Sequence, residues 1–171
     1  MPAAIRIFPG GRVRCRATLS LDLPAGAVWG QLRDFHRYAS HDPFHTRIDI
    51  DGDGLPRPGA SLVLVHRYGP FRTTRVGRIV RWHEGRGYAF SDLAQRDPAR
   101  SGFPHVFSFD LTATGPARCT LTLQVRGRWT ARLVPRPLAW LWLTWVFTAT
   151  AGRTQNDLLR YALAVRDRKA R

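Results

Sequence analysis

Alternation of apolar and polar residues at period two constrains this chain more than any other feature. From Arg12 to Leu21 the odd positions Val13, Cys15, Ala17, Leu19 and Leu21 are apolar, while Arg12, Arg14, Arg16, Thr18 and Ser20 are polar. Successive side chains of a strand point to opposite faces, so this segment has one core face and one wet face. Cys119, Leu121, Leu123 and Val125 alternate in the same way with Thr120, Thr122, Gln124 and Arg126, and so do His105, Phe107, Phe109 and Leu111 with Ser108, Asp110 and Thr112. Such patterns belong to half-buried antiparallel strands. Phe44–Ile50, Ser61–Tyr68, Arg72–Trp82 and Gly87–Leu93 read as four more, separated by Gly52-Asp53-Gly54, Gly69-Pro70 and Glu84-Gly85-Arg86-Gly87. The count is about seven strands.

Two stretches carry a helical period instead. Val28, Trp29, Leu32 and Phe35 recur at three- and four-residue steps behind Pro24, which predicts a short amphipathic helix and then a second helical turn before a strand entered through Asp42-Pro43-Phe44. Leu138–Val165 reads as one long helix with Pro137 near its start. The resulting order is strand, two helices, six strands, long helix. A sheet with one apolar face and a single long helix bury both by packing together, which predicts an α+β arrangement with a curved antiparallel sheet around the C-terminal helix. No repeat or linker divides residues 1–171, so one domain is expected.

The segment from Val28 to Phe44 resembles the start of the START-related, birch-pollen-allergen-like superfamily (SRPBCC) and its polyketide cyclase/dehydrase family. Val28, Trp29, Leu32, Asp34, Arg37, Tyr38, Pro43 and Phe44 fall in step with that pattern, while His41 stands where many members carry Trp. Pro58-Gly59-Ala60 before a strand, Val80-Arg81-Trp82 before a turn and the long C-terminal helix extend the resemblance over about residues 13–165. It implies the helix-grip fold and a small hydrophobic ligand, such as a lipid, sterol, polyketide or other aromatic metabolite, held between sheet and helix. Two alternatives follow from the same resemblance and surface: an aromatase/cyclase-like enzyme, and a module that docks on a membrane or carrier protein through its basic surface and the Arg126–Trp140 segment.

Charge and motifs exclude other classes. The net charge is +15, and all 27 basic residues except Lys169 are arginine, spread over nearly every element. Without a recognition motif this predicts no specific nucleic-acid partner, only weak contact with RNA or anionic lipid. No secretory signal precedes Leu21, so a cytoplasmic location with free Cys15 and Cys119 is expected. Asp49-Ile50-Asp51-Gly52-Asp53-Gly54 matches half an EF-hand loop, but Ala60 occupies the position of the closing Glu. His41 and His45 have helical ligand spacing with Pro43 between them, and no third ligand stands at a matching spacing, so neither metal nor cofactor is expected. Leu138–Gly152, with Trp140, Trp142, Trp145 and Phe147, is too short to span a bilayer and reads as core plus cavity lining, with contact to a membrane surface or partner as the alternative because its tryptophans fall on more than one side.

Strand register supplies the candidate site. If Trp82 pairs with Tyr88 across the turn, Val80 faces Phe90 and Arg78 faces Asp92, and Phe90 opposite Phe107 then brings His105 beside Asp92. The expected site is therefore a polar row, Arg78–Asp92–His105, at the end of an apolar face of Val80, Trp82, Tyr88, Phe90, Phe107 and Phe109, closed by Trp142 and Trp145. The row either satisfies its own charges as part of the scaffold or serves as the polar end of a pocket, and in the second case His105, Asp92 and Tyr88 are the candidates for acid or base.

Overall fold

The computed structural model describes residues 3–41, 45–68, 70–93, 104–129 and 135–169. Strand β1 (Ala4–Ile7) is followed by β2 (Arg12–Leu21), helices α1 (Ala25–Leu32) and α2 (Phe35–His41), and strands β3 (His45–Ile50), β4 (Ser61–Tyr68) and β5 (Phe71–His83). Strands β6 (Gly87–Ser91), β7 (Pro104–Gly115) and β8 (Arg118–Arg128) lead into α3 (Arg136–Lys169). All strands join one antiparallel sheet in the order β1-β2-β8-β7-β6-β5-β4-β3. The curved sheet and the long C-terminal helix make a helix-grip α+β fold. The sheet has eight strands rather than about seven, because β1 is four residues long and offers only Ile5 and Ile7 as an alternating signal. The entry through Asp42-Pro43-Phe44, most of the Leu93–Pro104 connection and part of the Arg126–Trp140 segment lie outside the described residues.

The predicted core face of β2 is fully realised: Val13, Cys15, Ala17, Leu19 and Leu21 are all buried. Each pairs with β8, so that Cys15 lies opposite Val125 and Cys119 opposite Leu21. That register keeps the two thiols apart, and both are free. Burial pushes the Cys15 thiol up to about 12, so it packs as a small apolar group and not as a nucleophile.

Helix α3 lays one stripe on the interior, Ala139, Leu143, Phe147, Ala151 and Leu158, and it packs on β1, β2, α1 and α2. Its threonines 144, 150 and 154 donate to the carbonyl four residues back, which satisfies polar groups in an apolar helix. Arg37 on α2 grips Asp157 on α3 with two bonds, Nε to Oδ2 at 2.9 Å and Nη2 to Oδ1 at 3.2 Å, and lies 5.3 Å over the Tyr161 ring. A bidentate pair of this kind fixes orientation as well as distance.

The β5–β6 turn is tied to α1 by one carboxylate. Glu84 accepts the indole N–H of Trp29 at 2.7 Å on one oxygen and that of Trp82 at 3.1 Å on the other. These bonds, the Trp29 bond first, hold the Glu84 carboxyl below its ordinary range. A depressed folded-state value means that the stabilisation is present above the unfolded value of about 4.3 and is lost as pH falls through the folded value. We therefore expect the melting temperature of the wild type to fall more steeply than that of Glu84→Gln between about pH 5 and pH 3. Parallel curves in a calorimetric pH series contradict the clamp.

Candidate functional site

The concave face carries an aromatic ladder. Tyr88 and Phe90 on β6, Phe107 and Phe109 on β7 and Trp82 on β5 meet Trp29 and Phe35 from α1 and α2 and Tyr38 from α2. Trp82 stacks on Tyr88 at 5.4 Å, Phe90 on Phe107 at 5.1 Å, and Phe35 meets Tyr88 edge-on at 5.1 Å. Tyr88 and Phe90 are fully buried, whereas Trp82 and Phe107 are only partly buried and form the ladder's accessible ends.

Register decides which polar groups join this face. Trp82 pairs with Tyr88 and Phe90 with Phe107, as expected. Between them, however, β5 bulges at Val80: Ile79 lies opposite Phe90 and Arg78 opposite Ser91. A bulge adds one residue to one strand and reverses inside and outside beyond it. Arg78 and Val80 consequently point outward and are exposed, and the expected Arg78–Asp92 pairing does not form. Ile79, 1% exposed, takes the interior place assigned to Val80. Trp145 is likewise turned to solvent, 70% exposed, and Trp142 is partly exposed with its ring 5.9 Å from Trp129. Neither belongs to the stripe that α3 lays on the interior.

Asp92 finds different partners. Continuing the ladder from Arg78 and Ser91 sets Gly77, not Arg78, beside Asp92. A Cβ at Gly77 would collide with the Ser91 carbonyl and sit 2.5 Å from Leu64 Cδ1, so only glycine fits this approach. The flank of Asp92 is thus left open to β4 and β5. His66 Nε2 lies 3.4 Å and the Arg75 guanidinium 3.5 Å from Asp92 Oδ2. A second bulge, between His45 and Arg47 on β3, turns His45 inward, while Thr46 and Arg47 both face solvent. The His45 ring stands 4.4 Å from that of His66, with which it pairs across the strands, and 5.1 Å from Phe107.

The polar end of the face is therefore His45, His66, Asp92 and Arg75, with buried His105 joined to Asp92 through the backbone, Asp92 N–H to the His105 carbonyl at 3.0 Å. His45 and His66 are each 1% exposed and Asp92 is 5% exposed. Asp92 Oδ1 and Tyr88 Oη have no hydrogen-bond partner among the described residues. Burial, and next the charge of Asp34, raise the Tyr88 hydroxyl well above its ordinary value. Tyr88 is thus a hydrogen-bond donor to whatever reaches it and is unsuited to act as a base. His66 and Arg75 escaped sequence reasoning, and His45 was weighed there only with His41, because the three come from β4, β5 and β3 at no motif spacing. The signal that finds them is the pair of bulges, which alternation alone does not reveal.

A separate cleft of about 30 Å³ lies between α1, α2 and α3, lined by Gln31, Leu32, Arg37, Tyr38, Thr154, Asp157 and Leu158. It has room for about one water and closes over the Arg37–Asp157 pair. No helix among the described residues is long and apolar enough to cross a membrane.

Comparison with known proteins places the fold. The START superfamily protein of Mycobacterium smegmatis aligns over 86% of this chain and 97% of its own at 17% identity, with a TM-score of 0.65. The Zhui aromatase/cyclase of Streptomyces sp. R1128 covers 94% of this chain and 96% of its own at 17% identity and a TM-score of 0.57. The major latex-like protein 151 of Panax ginseng covers 88% and 99% at 12% identity and a TM-score of 0.60. The chain has the START-type fold. Neither a protein-family model nor a curated protein sequence matches it.

The observed cluster predicts a stability contrast. Asp92→Asn removes the buried carboxylate that Arg75 and His66 approach and should cost about 1–3 kcal/mol, whereas Arg78→Met on the outer face should change stability by less than about 0.5 kcal/mol. Urea denaturation of the two variants checks this. Comparable losses would restore the Arg78–Asp92 row.

Proposed function

We propose that the protein binds a small hydrophobic molecule, of the lipid, polyketide or aromatic-metabolite class, along the concave face between the sheet and its helices. One observation carries the reading: an aromatic, otherwise apolar face ends in a buried cluster of two imidazoles and a carboxylate. Unpartnered polar atoms are costly inside a protein, and Asp92 Oδ1 and Tyr88 Oη are buried with no hydrogen-bond partner among the described residues. A ligand that lays its apolar body on Phe107 and Phe90 and turns a hydroxyl toward this cluster, donating to Asp92 Oδ1, satisfies both the apolar surface and the buried carboxylate. Phe107 is the entry point, since it is partly buried, stacks on Phe90 at 5.1 Å and stands 5.1 Å from the His45 ring.

Native mass spectrometry of the purified chain should show a co-purifying apolar compound. For a fluorescent apolar probe, Phe107→Ala should weaken binding roughly tenfold, the equivalent of ~1–2 kcal/mol of lost contact. Val80→Ala, on the outer face, should leave affinity unchanged. Wild-type affinity in a folded Phe107→Ala variant overturns the reading.

An aromatase/cyclase-type reaction on the bound molecule is the second reading. The adjacency of His45, His66 and Asp92 favours it, because imidazole and carboxylate side chains placed against a substrate are the groups that general acid–base catalysis uses. On this reading Asp92→Asn retains binding and loses turnover.

A further inference from the structure

We propose that His45, His66 and Asp92 form a site for one divalent first-row transition-metal ion at the polar end of the concave face. One ligand atom from each residue lies within 4.8 Å of the others, and all three side chains are buried. Two imidazole nitrogens and a carboxylate oxygen are the donor set of zinc and its neighbours, with a fourth position open to water or a ligand oxygen, and they do not suit calcium or magnesium, which take oxygen donors.

The site is built rather than incidental. Strands β3 and β4 each contribute an imidazole and the residue that follows β6 contributes the carboxylate, and two of those contributions depend on a break in the ladder. The β3 bulge turns His45 inward, and the β5 bulge replaces the arginine that would flank Asp92 with Gly77. The three ligands therefore converge only in the folded register. Arg75 is the one cation beside the carboxylate among the described residues, and its side chain is 38% exposed, so solvent screens its repulsion of an incoming ion. Its 3.5 Å approach to Asp92 Oδ2 leaves Oδ1, which has no hydrogen-bond partner among the described residues, available for coordination. An ion here would polarise a ligand oxygen or lower the pKa of its bound water at the mouth of an apolar site. The inference does not rest on the apolar-ligand reading, because it concerns the ion alone.

The test is titration of the full, chelator-treated chain with cobalt(II) chloride, read by visible absorption, with zinc as competitor. The expected result is a saturable d–d spectrum at one cobalt per chain, abolished by zinc, together with a zinc-dependent rise in melting temperature of the wild type. His66→Ala, His45→Gln and Asp92→Asn should each weaken cobalt binding by more than about tenfold, whereas His36→Ala, an exposed imidazole 3.7 Å from Asp49, should bind as the wild type does. Absence of both the spectrum and the thermal shift in the wild type overturns the proposal without recourse to any variant. So does an unchanged spectrum in the folded His45→Gln and Asp92→Asn variants.

Discussion

A β-strand shows alternate residues to alternate faces, and two departures from that rule determine what the concave side of this sheet contains. At Val80 an extra residue on β5 turns Arg78 and Val80 outward, brings Ile79 inward and sets Gly77 beside Asp92. At His45 a second irregularity turns an imidazole inward from a strand whose next two residues are exposed. Each bulge exchanges one ladder contact for a change of facing. Together they put His45, His66, Arg75 and Asp92 at one end of an aromatic face, and the chemistry open to the protein follows from that placement.

The regular parts of the fold were legible because local pattern and global packing agree there. Arg12–Leu21 alternates over ten residues and forms a strand with those bounds, its five apolar residues all buried. The helix-grip arrangement follows from the order of elements. β1 was missed because four residues cannot establish a period. Of the candidate site, the Trp82–Tyr88 and Phe90–Phe107 pairings and the burial of Asp92 and His105 agree with the sequence argument. That argument then ran through Val80 as if the ladder were unbroken. No residue type at Ile79-Val80-Arg81 marks the bulge, since all three suit a regular strand.

The tryptophans of α3 illustrate a different limit. A helix with tryptophans on several sides is expected to turn some of them away from the sheet, and here only the stripe of Ala139, Leu143, Phe147, Ala151 and Leu158 meets the interior. Leu138, Trp140, Leu141 and Trp145 are exposed. Composition reported that the segment is apolar but not which azimuth the sheet would take. On the opposite face of the sheet, Arg14 lies between Arg6 and Arg126 in the cross-strand register, so the scattered arginines of the sequence become neighbours only after folding. Like charges so placed oppose one another and weaken the sheet modestly.

The central claim is that the concave face, at its Phe107–His45 end, is where a small molecule meets this protein. Amide chemical-shift mapping by NMR with an apolar probe tests it most directly, since it reads the whole sheet at once. The account predicts saturable shifts at Phe90, His105, Phe107 and the β3–β4 pair His45 and His66, with Arg78 and Val80 unmoved. Shifts confined to the exposed Trp140–Trp145 stretch of α3, with β6 and β7 silent, would contradict it.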